Sequence, residues 1–428
     1  MSTDMTPRAE GGGTPAAALA ATVEKLVARD HVPLQIPFLQ ELVRVPSDNP
    51  PGDCAPHATV AARLLEDLGF TVERHPVPAE LVRDHGMLSV TNLIIRHRFG
   101  DGTGPTIALN AHGDVVPPGA GWKHPPYGAD IVDGALYGRG AAVSKADFAT
   151  YAFALRALIE SGAALNGQVE LHFTYDEESG GHLGPGWLLE TGLTKPEYVI
   201  SAGFTYTVMI AHNGSLQLDV TLTGKAAHSA WPHTGHDALH AASLVMNALY
   251  DWRDSLATQP CAIEGIDAPT LVIGTISGGV AANVVPEDVT FRLERRILPD
   301  EDPVVVETRL REIIAQAAAR SPHVTCRVER CLLAEPLRPG PGQAPLVAAI
   351  QDATAEVLGE RVPALGMPLF TDARLYSAAG CATVLYGAGP RILQDANGHR
   401  ANEHVQLEDL RKATCVVALA LSNLLVHA

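Results

Sequence analysis

The sequence predicts an α/β protein in which a small α+β module is inserted into a larger, mostly parallel unit. Three observations predict it. Strand and helix patterns alternate through the first half of the chain, the signature of a parallel sheet covered by helices. Near Gly214 the pattern changes to a βαββαβ order, the ferredoxin-like arrangement, which occupies residues 214–332. Helix-strand alternation then resumes from Leu346 to the end. At 428 residues the chain exceeds one ordinary core, so a two-part organisation is expected. Residues 1–15 read as a flexible tail, 16–213 with 333–428 as one domain, and 214–332 as the insertion.

Each element has its own signal. Ala16–Ala28 is an alanine-rich helix start, and Asp48-Asn49-Pro50-Pro51-Gly52 is a turn cluster. Ala55–Leu68 carries Val60, Leu64, Leu65 and Leu68 at helical spacing and stops at Gly69. Thr71–His75 and Ser89–Arg96 read as strands, as does the apolar run Thr106–Asn110 that leads to His112. Phe148–Ser161 is a helix, and Gln168–Thr174 and Tyr198–Ser201 are strands. In the insertion, Ser215–Thr223 places Leu216, Leu218, Val220 and Leu222 on one face. It is followed by a helix over His236–Arg253, strands over Thr270–Ser277 and Asp288–Ile297, a helix over Pro303–Ala319 and a strand over His323–Leu332.

Composition narrows the function classes. A formal charge of −17 repels phosphate backbones and argues against a nucleic-acid partner. No run of about 18 uncharged apolar residues predicts a membrane span, and the start has no basic segment followed by an apolar core. Six cysteines at irregular spacing, without a CxxC pair, suggest reduced thiols and a cytoplasmic location.

Three segments can carry chemistry. Asn110-Ala111-His112-Gly113-Asp114 follows a buried strand; a carboxylate two residues after a histidine can orient the imidazole as a metal ligand. Tyr175-Asp176-Glu177-Glu178-Ser179-Gly180-Gly181 also follows a strand. Adjacent acids there point different ways, so one can bind a cation while its neighbour acts as general base. Gly398-His399-Arg400-Ala401-Asn402-Glu403-His404, before the last helix, offers two more imidazoles. Each segment alone also reads as a plain polar loop.

Taken in order, these segments resemble the di-zinc family of aminoacylase, acetylornithine deacetylase, succinyl-diaminopimelate desuccinylase and glutamate carboxypeptidase. The likeness runs from Leu42-Val43-Arg44-Val45-Pro46-Ser47 to His399. It includes Leu136-Tyr137-Gly138-Arg139-Gly140-Ala141, Gly224-Lys225-Ala226-Ala227-His228-Ser229, Asn283-Val284-Val285-Pro286 and Thr371-Asp372-Ala373-Arg374. The resemblance implies a zinc-exopeptidase-like catalytic domain carrying a ferredoxin-like lid and dimerisation domain, and a homodimer. It implies metal ligands at His112, Glu178 and His399, with Asp114 orienting His112 and Glu177 as general base. It implies that His228 reaches a partner subunit's site, and that Asn283, Arg296 and Arg374 hold a substrate carboxylate or amide, which suits a planar guanidinium. The Ser215–Thr223 strand and the His236–Arg253 helix are then the expected pairing surface between two subunits.

The chain departs from the family at two places. The family reads Gly-Arg-Gly-x-x-Asp-x-Lys-Gly-Gly, whereas here the bridging aspartate is Val143 and the second of the paired glycines is Asp147. A further ligand acid is replaced by Ala202. Two cations about 3.5–4 Å apart need a bridging anion, so the sequence implies at most one divalent ion, zinc or another, or none. Asp147 is four residues from Val143 and could stand in for it, but an acid in a first helical turn more simply offsets the helix dipole. Three functions follow. The first is hydrolysis of an amide bond beside a carboxylate in a small molecule, such as an N-acyl amino acid or small peptide. The second is metal-independent cyclisation, acyl transfer or lyase chemistry on the same scaffold. The third is non-catalytic binding.

Overall fold

The computed structural model describes residues 15–427; the expected tail over residues 1–15 lies almost wholly outside them. The described strands used below are β1 (Val72–Pro76), β2 (Thr91–Phe99), β3 (Thr106–His112), β4 (Leu165–Thr174), β5 (Tyr198–Ser201), β6 (Gly214–Thr223), β7 (Thr270–Gly278), β8 (Asp288–Ile297), β9 (Thr325–Ala334) and β10 (Ala382–Leu385). The helices are α1 (Pro15–Lys25), α2 (Val32–Arg44), α3 (Ala55–Asp67), α4 (Lys145–Glu160), α5 (Ala238–Leu256), α6 (Pro303–Ala318), α7 (Gln343–Leu358) and α8 (Leu407–Leu424). The chain divides into two compact units, one of residues 1–208, 342–363 and 381–428, the other of residues 209–341 and 364–380.

In the first unit the strands lie in the order β1-β2-β4-β3-β5-β10. From β4 through β3 and β5 to β10 they run parallel, while β2 is antiparallel to both of its neighbours. The parallel strands are short apolar runs because both faces are covered: Ile107, Leu109, Val169, Leu171, Phe173, Val199, Ile200, Val384 and Leu385 are buried. Helix α4 is buried almost throughout, with Phe148, Tyr151, Phe153, Leu155 and Leu158 inaccessible. It begins at Lys145, three residues earlier than periodicity suggests, because Lys145, Ala146 and Asp147 are themselves buried and break the apolar pattern only chemically. A small antiparallel sheet of Asp130–Val132, Ala135–Tyr137 and His404–Gln406 ties the end of the chain to its middle.

The second unit contains a four-stranded antiparallel sheet in the order β7-β8-β6-β9. Leu216, Leu218, Val220 and Leu222 of β6 form its core with Ala241, Val245 and Leu249 of α5 and Leu310 and Ile314 of α6. The period-2 pattern of β6 therefore reflects one face packed on helices. Strand β6 is paired on both sides, with β8 and with β9. It is thus central, not the free pairing edge that the sequence suggested: its buried face and its two ladders leave no unpaired backbone. The outer strands of this sheet are β7 and β9, and β7 exposes Val272 and Ile276.

Candidate active site

The site of the first unit stands at the carboxyl ends of β3 and β4, where open parallel sheets place their chemistry. Register brings them level, since His112 is opposite Thr174. Gly113 then donates its N–H to the Thr174 carbonyl at 2.9 Å. No side chain fits at position 113: a Cβ would lie 2.4 Å from the Tyr175 ring. The chain thus turns tightly, and the His112 imidazole is buried with its partners fixed.

His112 Nδ1 lies 3.0 Å from the Asp114 carbonyl and 3.4 Å from its Oδ1, and Nε2 lies 3.8 Å from Glu177 Oε2. Burial would lower the imidazole's pKa, but the charge of Glu177, the hydrogen bond and charge of Asp114, and Glu178 together hold it well above the usual histidine value. Asp114 is fully buried and works as a hub. It accepts the N–H of Glu177 (3.3 Å) on one oxygen, and the N–H of Glu178 (3.2 Å) and the Asn49 amide (3.0 Å) on the other. Burial opposes its ionisation, yet the bonds from His112 and Asn49 bring its pKa below the ordinary value.

The three consecutive acids separate into two roles. Asp176 has φ 105°, a left-handed conformation that an aspartate tolerates better than most residues. Its buried carboxylate turns inward and accepts the N–H groups of Leu183 (2.6 Å) and Gly184 (2.8 Å). That twist sends Glu177 and Glu178 the other way, and donor atoms of His112, Glu177 and Glu178 all lie within 4.8 Å of one another. His399, itself left-handed at φ 62°, places Nε2 3.3 Å from Glu178 Oε1. The Glu178 carboxylate beside it raises the His399 pKa, against a smaller effect of burial. Glu178 Oε1 is buried and has no geometrically good hydrogen bond.

This donor set fits a divalent cation. Two ligands with bonds of about 2.0–2.1 Å in a tetrahedral shell lie about 3.4 Å apart, close to the 3.3 Å between His399 and Glu178, and a donor atom of His112 lies within 4.8 Å of one on Glu178. A buried carboxylate oxygen without a good partner is also the chemistry a cation satisfies. Position 143 presents only the Val143 side chain, and its N–H is held by Glu403 Oε1 at 3.0 Å. Ala202 presents a methyl, and its N–H is held by the Asn110 carbonyl at 2.8 Å.

Asp147 does more than offset a helix dipole. Its carboxylate is buried and leaves the helix to accept the N–H of Ala388 at 2.7 Å and that of Gly203. The shape of α4's first turn decides this, because it faces two strand-end loops instead of solvent. Burial pushes its pKa up to about 7 against these bonds, the charge of His112 and the Thr150 hydroxyl.

Sequence reasoning passed over three groups. Glu403 is fully buried and accepts Arg139 Nη1 (2.5 Å), Ala142 N–H (3.1 Å) and Val143 N–H (3.0 Å), so it holds the loop after Gly140. Ser144 at the end of that loop accepts the N–H of His112 at 3.0 Å. Asn49 in the turn cluster reaches Asp114. The signal for Glu403 was present as an acid between two histidines, but only the fold shows that it turns inward.

The remaining expected residues lie in the second unit. His228 and Asn283 are exposed and close together, because Ala227–His228 pairs with Val284–Val285. Arg296 stacks on Phe370 and pairs with Glu294, and Arg374 is buried. Both guanidinium charges are felt at His212, another group that sequence reasoning passed over. His212 is buried, which with those charges brings its pKa down to about 4, and Nε2 is 3.2 Å from the Thr371 hydroxyl.

The family model of Peptidase family M20/M25/M40 matches residues 108–423. The chain belongs to this family. As an M20 member it is a hydrolase of the amide-bond-cleaving class, in a family whose members are metal-dependent. A succinyl-diaminopimelate desuccinylase of Acidiphilium cryptum (strain JF-5) is 29 % identical over 386 residues, covering 88 % of this chain and 94 % of the relative. Human carnosine dipeptidase 1 shares the fold at TM-score 0.74 with 17 % identity, over 95 % of this chain and 98 % of that one. A Bacillus subtilis M20 peptidase described as dinuclear metal-binding shares it at TM-score 0.66 with 16 % identity, over 92 % and 99 % of the two chains. Among the described residues, no helix is long and apolar enough to cross a membrane.

Proposed function

We propose that this M20 enzyme hydrolyses an amide bond next to a carboxylate in a small substrate, such as an N-acyl amino acid or a small peptide. It does so with one divalent ion instead of two. The observation that carries this reading is the convergence of His112, Glu177 and Glu178, with His399 joined through Glu178, around donor atoms spaced like one coordination shell. His112, Glu178 and His399 would hold the ion, and Val143 with Ala202 removes the bridging and fifth ligands of a second.

A bound divalent ion supplies Lewis acidity and lowers the pKa of water. The chain's own residues do the rest. Asp114 fixes the His112 ring through Nδ1, so Nε2 stays directed at the cluster. Glu177, whose backbone is anchored to Asp114, takes a proton from the attacking water on a carboxylate oxygen and delivers it to the departing amide nitrogen. Arg296 and Arg374 bind the substrate carboxylate, Asn283 binds the amide, and His228 of a second copy steadies the oxyanion in a homodimer. The desuccinylase relative favours an acidic acyl substrate.

Elemental analysis of the purified protein, with turnover measured before and after chelation, tests the reading. The expected result is about one equivalent of divalent metal and loss of turnover restored by metal. Glu177→Gln is expected to lower kcat by about 100- to 10,000-fold with little change in metal content. No bound metal together with turnover indifferent to chelator overturns it.

A further inference from the structure

The turn cluster after helix α2 laces together the two loops that carry the site. Ser47 donates its hydroxyl to the Gly113 carbonyl at 2.6 Å, and its own carbonyl accepts the Val115 N–H at 3.0 Å. The Asn49 N–H in turn binds the Val115 carbonyl at 2.8 Å. Residues 47–49 thus run beside residues 113–115 with a parallel bridge between Asp48 and Val115. From that position the buried Asn49 side chain spans both loops. Its amide nitrogen donates to Asp114 Oδ2 at 3.0 Å and to Ser179 Oγ at 2.9 Å. An ionised carboxylate only accepts, so the nitrogen of the amide, and not its oxygen, faces Asp114. The Ser179 hydroxyl accepts from Asn49 and donates to the Asp176 carbonyl at 3.3 Å. One neutral group with two N–H bonds therefore joins the residue that orients His112 to the end of the Glu177–Ser179 turn. A lysine or arginine would also donate twice, but its charge would repel a cation held by the same loops.

We propose that Asn49 is a positioning residue for the metal site: its amide bridges Asp114 and Ser179 and so sets the spacing between the His112 imidazole and the Glu177 and Glu178 carboxylates. It acts on the imidazole through Asp114 and on the two acids through Ser179. The inference rests on the one-ion reading above, and adds that the ligand loops need a third segment, residues 47–49, to hold their geometry.

The test is zinc affinity of the folded full-length protein, measured by competition with a chromophoric chelator, alongside circular dichroism. The visible absorption of the cobalt(II)-loaded protein is recorded too, because its d–d bands report ligand geometry. Asn49→Ala is expected to weaken zinc binding by about 10- to 100-fold, the range for groups supporting a ligand, and to shift the cobalt bands while the circular dichroism spectrum is kept. Ser179→Ala, at an exposed position, cuts the other end of the bridge and is expected to weaken zinc binding as well. Ser179→Thr keeps the hydroxyl and is expected to bind zinc as the parent does. Because both ends belong to one bridge, the loss in Asn49→Ala/Ser179→Ala should fall well short of the two single losses combined. If the variants at position 49 do not fold, the two Ser179 variants decide. Zinc affinity and cobalt bands unchanged in Asn49→Ala or Ser179→Ala, a Ser179→Thr variant as weak as Ser179→Ala, or fully additive losses overturn the proposal while the one-ion reading stands. Absence of zinc binding in the unaltered protein overturns both.

Discussion

Replacing Glu403 by alanine tests whether the loop at the site is held by one buried charge. Glu403 is inaccessible, and its carboxylate accepts three donors: Arg139 Nη1, Ala142 N–H and Val143 N–H. Arg139 is 1 % exposed, so its charge loses a partner it cannot replace with water. Removing one member of a buried pair costs about 3–5 kcal/mol, and the two stranded amides belong to the same loss. Glu403→Gln keeps one carbonyl acceptor and should cost less, about 1–3 kcal/mol. Urea denaturation followed by circular dichroism gives the change, provided the transition of the first unit is fitted separately from that of the second. Because Ser144 ends the loop and accepts from His112, the alanine variant should also lose zinc affinity. An alanine variant destabilised by less than about 1 kcal/mol would refute the reasoning, because an unpaired Arg139 cannot be that cheap in a closed interior.

Further outcomes follow from other contacts. Gly113→Ala forces a methyl against Tyr175 and is expected to cost about 1–3 kcal/mol, read as a lowered Tm, together with loss of metal. Glu170 is buried on β4 among His172, Thr194 and Arg96, and although burial resists its ionisation these partners bring its pKa down to about 2 from an ordinary value of 4.5. A depressed carboxylate pKa contributes stability that is present above about 4.5 and is lost as the pH falls towards 2, amounting to about 3 kcal/mol at most. Glu170→Gln should therefore be less stable than the parent at neutral pH, and the gap in denaturation midpoint should close across that acid window. Asp176→Gly relieves the left-handed conformation but removes two amide acceptors, so a net loss of stability is expected in thermal unfolding, and Asp176→Asn should fall between it and the parent.

Much of the architecture was legible because its signals are local. Tyr198–Ser201 and Asp288–Ile297 have the bounds their apolar patterns suggest, and the βαββαβ order of the second unit follows from period alone. The strands Val208–His212 and Ala382–Leu385 were missed, since runs of four or five apolar residues do not separate strand from buried helix. At the site, strand-then-acid punctuation pointed to His112 and Glu177–Glu178. What the sequence could not show is direction. Asp176 turns inward and Glu178 outward only because of one left-handed residue, and Asp147 and Glu403 are aimed by the loops that they bind. The centrality of β6 was likewise invisible, since an alternating pattern reports which face is covered and not which neighbours lie alongside.

The separation in sequence between β5 and its parallel neighbour β10 bears on how the protein is made. Tyr198–Ser201 can pair with β3 on one side, but its second ladder partner comes only when Ala382–Leu385 has been synthesised, roughly 180 residues later. At about 5–20 residues per second on the ribosome, that flank of the nascent sheet stays open for about 10–35 seconds. An apolar Tyr-Val-Ile-Ser edge left unpaired for so long invites pairing between neighbouring chains. Slower translation or warmer growth should therefore shift yield from dissolved enzyme to inclusion bodies, and chaperone supply during that interval should recover it.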